Sequence, residues 1–204
     1  MHSAMPDDRL ARQISFLVEA DNLKSIVRRT PLVDSSRHEN SAEHSWHLVL
    51  AAIVMREYVT GECDLLRALE LMAVHDLVEI DAGDTFAYDA VGQVTKASRE
   101  TAAADRIFGL LPSGQASYFR ALWEEFEAQE TSESRFANAL DRFQPLLQNA
   151  CSGGGSWHTH QLTRDQVLQR MAPVESVLPS LWPAVVDIVE SFCASGLLRT
   201  AHES

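Results

Sequence analysis

LELMAVHDLVEIDAGD, residues 69–84, is the stretch that decides the fold. Its first half continues an apolar stripe that runs from Leu65 and Leu66 through Leu69 and Met72, with the spacing of three and four that marks one face of an α-helix. The stripe predicts a packed helix over about residues 64–80. His75 and Asp76 end the apolar run, where the pattern predicts a buried or half-buried environment. An imidazole and a carboxylate buried without partners would cost several kcal/mol. A divalent cation removes that cost, because imidazole nitrogen and carboxylate oxygen are ligands for zinc, manganese, iron or cobalt. Glu79 lies four residues beyond His75 and three beyond Asp76, on a neighbouring helical face, placed to serve the same chemistry.

Two other segments carry the same kind of residue. RHENSAEH, residues 37–44, brings His44 into the first turn of a helix whose later face is Leu48, Ala51, Ala52 and Met55. ALDR, residues 139–142, sets Asp141 among Phe136, Leu140 and Phe143 on another amphipathic helix. Taken singly these are ordinary features, since a lone histidine on such a face is usually a satisfied core residue and a lone aspartate usually pairs with arginine. Their common chemistry is what draws them together.

Helical spacing recurs in most of the chain, and no hairpin is expected. The predicted helices cover about 9–27, 42–59, 64–80, 92–111, 114–129, 133–151, 164–172 and 181–195. Asn40 with Glu43 and Thr163 with Gln166 have capping-box spacing, and Asp64 stands where a cap is needed after Gly61. Gly61, Gly83 and the run Ser152-Gly153-Gly154-Gly155 mark helix ends. That run lacks the Lys-Ser or Lys-Thr of a phosphate-cradling loop and is too short for a linker. The expectation is an all-α, compact single domain over residues 1–204, with residues 1–8 disordered, a motif core over about 12–151 and C-terminal helices over about 164–195.

Composition narrows the function. The 204 residues are 46% hydrophobic, enough for a sizeable core. Lys and Arg number 17 against 29 Asp and Glu, giving a net charge of −12 that repels nucleic acid polymers and anionic membranes. A phosphate substrate must then be attracted by a local metal and a few basic side chains. Cys63, Cys151 and Cys193 form no CxxC pair and read as small buried thiols. No apolar run approaches the roughly 20 residues of a membrane span, and no signal core opens the chain, so a cytoplasmic location is expected.

The order His44, His75-Asp76, Asp141, together with NSAEHSWHL, HDLVEIDAGD and ALDRFQPLLQN followed by GGGSWHTH, resembles the HD-domain metal-dependent phosphohydrolase superfamily. Within it the likeness is to the branch of bacterial 5'-deoxyribonucleotidases and their eukaryotic relatives, and it spans about residues 12–170. The resemblance implies an HD-type helical bundle with the metal site between helices. It implies one divalent ion (manganese, cobalt, iron, magnesium or zinc) on His44, His75, Asp76 and Asp141. Glu79 matches the catalytic carboxylate that handles the attacking water, Asp84 a substrate-side acid at the sugar, and Arg29 the arginine at the phosphate. In the best-known bacterial member a tryptophan follows that arginine; here Thr30 does, which puts deoxy-specificity in doubt. Lys96 is a further candidate for the substrate phosphate. The implied activity is hydrolysis of nucleoside 5'-monophosphates, deoxyribo- and also ribonucleotides, to nucleoside and phosphate. Relatives further imply a homodimer, for which the stripe Trp182, Val185, Val186, Val189 and Phe192 offers an apolar face, although such a stripe is more often core.

Two alternatives remain open at this level: an HD hydrolase for another phosphorylated nucleotide, and a non-catalytic dimeric HD-fold binding protein. The cyclic-dinucleotide pattern HD-x-x-G-K is not matched, because Leu77, Val78, Glu79 and Ile80 follow the pair. His38, His47, His158 and His160 read as non-ligands, and Trp46, Trp123, Trp157 and Trp182 as core or interface anchors.

Overall fold

The computed structural model of the chain describes residues 6–200, with side chains from residue 8 onward. Helix α1 covers Pro6–Ala20 and tightens into a 3-10 turn, Asp21–Ser25. A short antiparallel hairpin follows, β1 Val27–Pro31 and β2 His38–Asn40, with Val27 opposite Asn40 and Pro31 opposite His38. Then come α2 Ser41–Met55, α3 Leu65–Val74, the one-turn α4 Glu79–Ala82, α5 Ala90–Phe108, α6 Ser113–Ala128 and α7 Ser132–Cys151. The short α8 Gly155–Thr159, α9 Arg164–Val177 and α10 Trp182–Ala194 complete the described chain.

The helical expectation holds, and its departures have local causes. The hairpin was not expected: β2 is only three residues long and the connection carries no Asn-Gly or Asp-Gly signal, so alternation had no length in which to appear. Ser35 turns the connection at φ 59°. The single helix predicted over 64–80 breaks at Val74, and His75–Val78 form a 3-10 turn instead. α9 runs through Pro173 to Val177 where the sequence pattern had ended it at 172, and α8 had no counterpart in the prediction. Of the expected disordered start, residues 1–5 lie outside the described residues, whereas residues 6–8 open α1.

Side chains fix where the helices begin. Asn40 and Glu43 make the reciprocal capping box of α2, Thr163 and Gln166 that of α9, and Thr131 with Ser134 a third on α7. Asp64 accepts from the backbone of Leu66 and Arg67 at the start of α3. The core gathers Leu48 and Ala52 of α2, Leu71 and Met72 of α3, Ile107 and Phe108 of α5, and Phe136, Leu140 and Leu146 of α7. Val185 and Val189 of α10 are fully buried in the same core, so that stripe is packing rather than a free face. Trp123 and Trp157 are buried, but Trp46 stands 66% exposed on α2, with its ring beside that of His47 and outside the core of the described residues. Nor are the thiols buried as expected: Cys63 and Cys193 are half-buried and Cys151, at the end of α7 beside the glycine turn, is exposed.

The glycine run explains how the hairpin meets this bundle. Gly153, Gly154 and Gly155 all take positive φ, and a Cβ on Gly155 would lie 2.5 Å from Asn149 Oδ1 and 3.0 Å from Pro31 of β1. Asn149 spends that oxygen on Ser156, accepting from its backbone nitrogen at 2.7 Å and its hydroxyl at 2.9 Å. The turn thus lets β1 lie against α8, which sets Arg28 and Thr30 at the cleft.

Candidate functional site

α2, α3 and α7 each deliver one metal-competent side chain to a common point. His44, in the first turn of α2, is fully buried; His75 follows the last turn of α3; Asp141 lies near the middle of α7. One ligand atom from each lies within 4.8 Å of the others. Both histidines are held so that Nε2 faces inward. His44 Nδ1 pairs with Gln144 Oε1 at 2.9 Å, and His75 Nδ1 donates to the Met72 carbonyl at 2.8 Å. His44 Nε2 is 3.0 Å from Asp141 Oδ1. His75 Nε2 is buried and lies 3.0 Å from Asp76 Oδ1, yet makes no hydrogen bond among the described residues. An inward-facing imidazole nitrogen left without a partner is what a divalent cation would satisfy.

The surrounding charges agree. Burial and Arg28 oppose protonation of His44, but its hydrogen bonds to Asp141 and Glu39 and the charge of Asp76 push the imidazole up to about 9. Against the cost of burial, His44 and His75 hold the Asp141 carboxyl well below the usual carboxylate range. Asp76 is held down to about 2 despite its burial, by His75 and Arg28. Two imidazoles and two ionised carboxylates in this space form a donor set suited to a divalent metal, with the proton on His44 standing where the cation would compete. Asp76 itself sits somewhat aside, its Oδ2 2.9 Å from Arg28 Nη1 and 4.0 Å from His44 Nε2.

Behind the histidines is a polar network that sequence reasoning did not assign. Glu39, the middle residue of β2 and almost wholly buried, accepts from Gln144 Nε2 at 2.9 Å and Gln148 Nε2 at 2.7 Å. Gln144 also pairs with His47 Nδ1 at 3.1 Å, so His47 supports the network rather than facing the ligand point. Arg28 lies between Asp76 and Glu39, the latter 3.9 Å away. Recognising the hairpin would have revealed the arginine, since alternation along β1 puts Arg28 and Thr30 on one face and Arg29 on the other.

Glu79 lies beside the cluster, buried, and accepts from Ser41 Oγ at 2.6 Å. Burial and the charge of Asp76 raise its pKa well above the ordinary carboxyl value. Asp84 follows Gly83, whose φ of 73° turns the chain out of α4, and burial raises its pKa too. Both line the cleft with Thr30, Phe86, Tyr88, Asn138 and Trp157. Of the basic candidates, Arg29 is exposed at the rim, and Lys96 is tied to Glu100 at 3.1 Å with Glu127 at 3.9 Å. Arg142 and Arg170 also line the cleft, beside Asp141, and had not been singled out.

Known proteins resemble this chain at several levels of identity. The HD domain family profile matches residues 20–182. The chain is 46% identical to a crystallised protein of Magnetospirillum magnetotacticum MS-1, described as a predicted metal-dependent phosphohydrolase, with a TM-score of 0.90 over 95% of this chain and 97% of that one. A conserved hypothetical protein of Pyrococcus furiosus, 20% identical, shares the fold at a TM-score of 0.60 over 87% of this chain and 97% of its own. The human 5'-deoxynucleotidase HDDC2 is 30% identical over 136 residues, 66% of this chain and 65% of the human protein. The chain therefore spans a little under two thirds of the length of that curated relative. With the match running from the last residue of α1 into the start of α10, across every residue of the cluster, the chain belongs to the HD-domain family.

Proposed function

We propose that the protein is a metal-dependent phosphomonoesterase that hydrolyses nucleoside 5'-monophosphates to nucleoside and phosphate. The observation that carries this is the convergence of His44, His75 and Asp141 on one point, with a buried Glu79, whose proton affinity burial raises, beside it at the end of a cleft. The name 5'-deoxynucleotidase, borne by the human relative, supports the substrate class. Phosphate release from a panel of ribo- and deoxyribonucleotides, with manganese, cobalt or magnesium, tests it; release from none of them refutes it.

In this reading His44, His75, Asp76 and Asp141 hold the ion, which when bound acidifies water and stabilises charge developing on the phosphoryl oxygens. Gln144 and the Met72 carbonyl keep the two imidazoles facing inward. Glu79 takes up the proton of the attacking water, a role that suits a carboxyl whose proton affinity is raised by burial, while Ser41 holds one of its oxygens. Arg29 supplies a fork of donors to the phosphate from the rim, Lys96 adds charge from α5, and Asp84 accepts from a sugar hydroxyl. Thr30, buried at the cleft, leaves room that a tryptophan would fill, so ribonucleotides are accepted beside deoxyribonucleotides.

We also propose a homodimer. Its support is a set of exposed apolar residues, Leu10, Ile14, Leu17 and Val18 on α1 and Trp46, Leu50, Ile53 and Val54 on α2, which no part of the described chain covers. Sedimentation of the protein at micromolar concentration distinguishes dimer from monomer.

A further inference from the structure

The cations that line the cleft differ in how their charge is met. Arg28 has Asp76 at 2.9 Å and Glu39 at 3.9 Å, and Lys96 has Glu100 at 3.1 Å. Arg142 and Arg170 stand apart from this arrangement. They come from α7 and α9, and the Arg142 Nη1 is 3.5 Å from the Arg170 backbone carbonyl. Arg142 Nε is buried and has no hydrogen-bond partner among the described residues. The carboxylate near the pair is Asp141, whose Oδ2 lies 3.9 Å from Arg170 Nη2. Its other oxygen, Oδ1, is turned to the histidines, 3.0 Å from His44 Nε2 and 3.9 Å from His75 Nε2.

A single carboxylate thus faces two demands. Committed to a cation on the histidine side, Asp141 cannot also neutralise two guanidinium groups, and like charges lining one cleft repel unless an anion intervenes. A buried guanidinium nitrogen without an acceptor adds a second reason for a ligand, because such donors are rarely left unmet. The missing partner is doubly charged, rich in acceptors and small enough to sit beside Asp141. A tetrahedral phosphate dianion has those properties, and arginine forks match its oxygens.

We propose that Arg142 and Arg170 form a phosphate subsite on the α7–α9 wall, which takes the phosphoryl group of the substrate and holds the inorganic phosphate left after hydrolysis. The assignment rests on the nucleotidase reading for its substrate, though not for its anion. It gives the cleft a phosphate contact distinct from Arg29 on β1, so the phosphate is gripped from two walls.

The experiment is calorimetric titration of inorganic phosphate into the full-length, manganese-loaded protein, paired with steady-state hydrolysis of dAMP. Arg170→Ala is the main variant, because its side chain is 35% exposed and its loss leaves the core intact; Arg170→Lys and Arg142→Lys keep the charge and remove the fork. Phosphate affinity is expected to fall roughly tenfold or more in Arg170→Ala, with a parallel rise in KM for dAMP and unchanged manganese content, and less in the lysine variants. Wild-type phosphate affinity in Arg170→Ala, or no phosphate binding by the wild-type protein, overturns the subsite. Loss of free phosphate with an unchanged KM overturns its assignment to substrate. If the wild-type protein hydrolyses no nucleotide, the nucleotidase reading fails while the titration still decides the subsite.

Discussion

At the inner end of the cleft His75, Asp76 and Glu79, with His44 and Glu39 behind them, are buried and held by hydrogen bonds and ion pairs, whereas at its mouth Arg29 is exposed and Lys96 and Arg170 keep 29% and 35% of their side-chain surface. The inner residues have little room to move: each imidazole is pinned at Nδ1, and Glu39 fixes the glutamine that pins one of them. The mouth residues are long and flexible, and the ion pairs of Lys96 and Arg170 are partly exposed to screening by water. Such a division gives the inner end the task of holding a cation at fixed geometry and the mouth that of adapting to a substrate. Substitutions inside should therefore change metal content or turnover, and substitutions outside should change KM and selectivity.

The largest effects are expected from the ligands. His75→Ala or Asp141→Ala should leave the purified, dialysed protein nearly free of the metal that the wild type retains, as read by elemental analysis, because each removes one of three converging donors. Full metal occupancy in either variant would detach that residue from the site. Glu79→Gln should separate holding from chemistry: the metal stays while kcat falls by about 10²–10⁴-fold, the usual worth of a positioned proton acceptor. Near-native kcat would end that role for Glu79.

Glu39→Gln tests whether the network behind the histidines matters to the cation. The amide oxygen can still accept from Gln144 and Gln148, but the amide takes away the negative charge that faces His44 Nδ1 at 3.5 Å and Arg28 at 3.9 Å, so metal affinity should weaken by roughly 10–100-fold with the fold retained, read by competition with a chelator. Unchanged affinity would reduce the network to packing. On the β1 wall of the cleft, Thr30→Trp should sharpen preference for dAMP over AMP by an amount on the order of 1–3 kcal/mol in kcat/KM, the range available to a steric wall. Identical ratios in both proteins would show that the sugar is sensed elsewhere.

The same division governs what the sequence made legible. His75 and Asp76 stood out because polar side chains interrupt an apolar stripe, and His44 and Asp141 because they too fall on buried faces. Burial is what periodicity reports, so the inner cluster was readable. Glu39 lay in the quoted segment but outside any periodic element, and its partners Gln144 and Gln148 are uncharged residues whose importance depends on three elements meeting. The hairpin escaped notice for want of length, and with it the fact that Arg28, rather than Arg29, is the arginine that reaches Asp76. Arg142 and Arg170 are charged residues on helices, indistinguishable in sequence from solvated ones until α7 and α9 bring them together. The existence of the long helices was legible, while the short α8 and the break at His75 were not, the break because the apolar pattern continues across it through Leu77 and Val78.

The most direct measurement compares phosphate release from dAMP by the protein stripped of metal with a chelator, then dialysed and reconstituted with manganese or cobalt. Release should be lost on stripping and restored on reconstitution, with His75→Ala regaining little of it. Equal release by the stripped and reconstituted protein, or no release under any metal, would contradict the account.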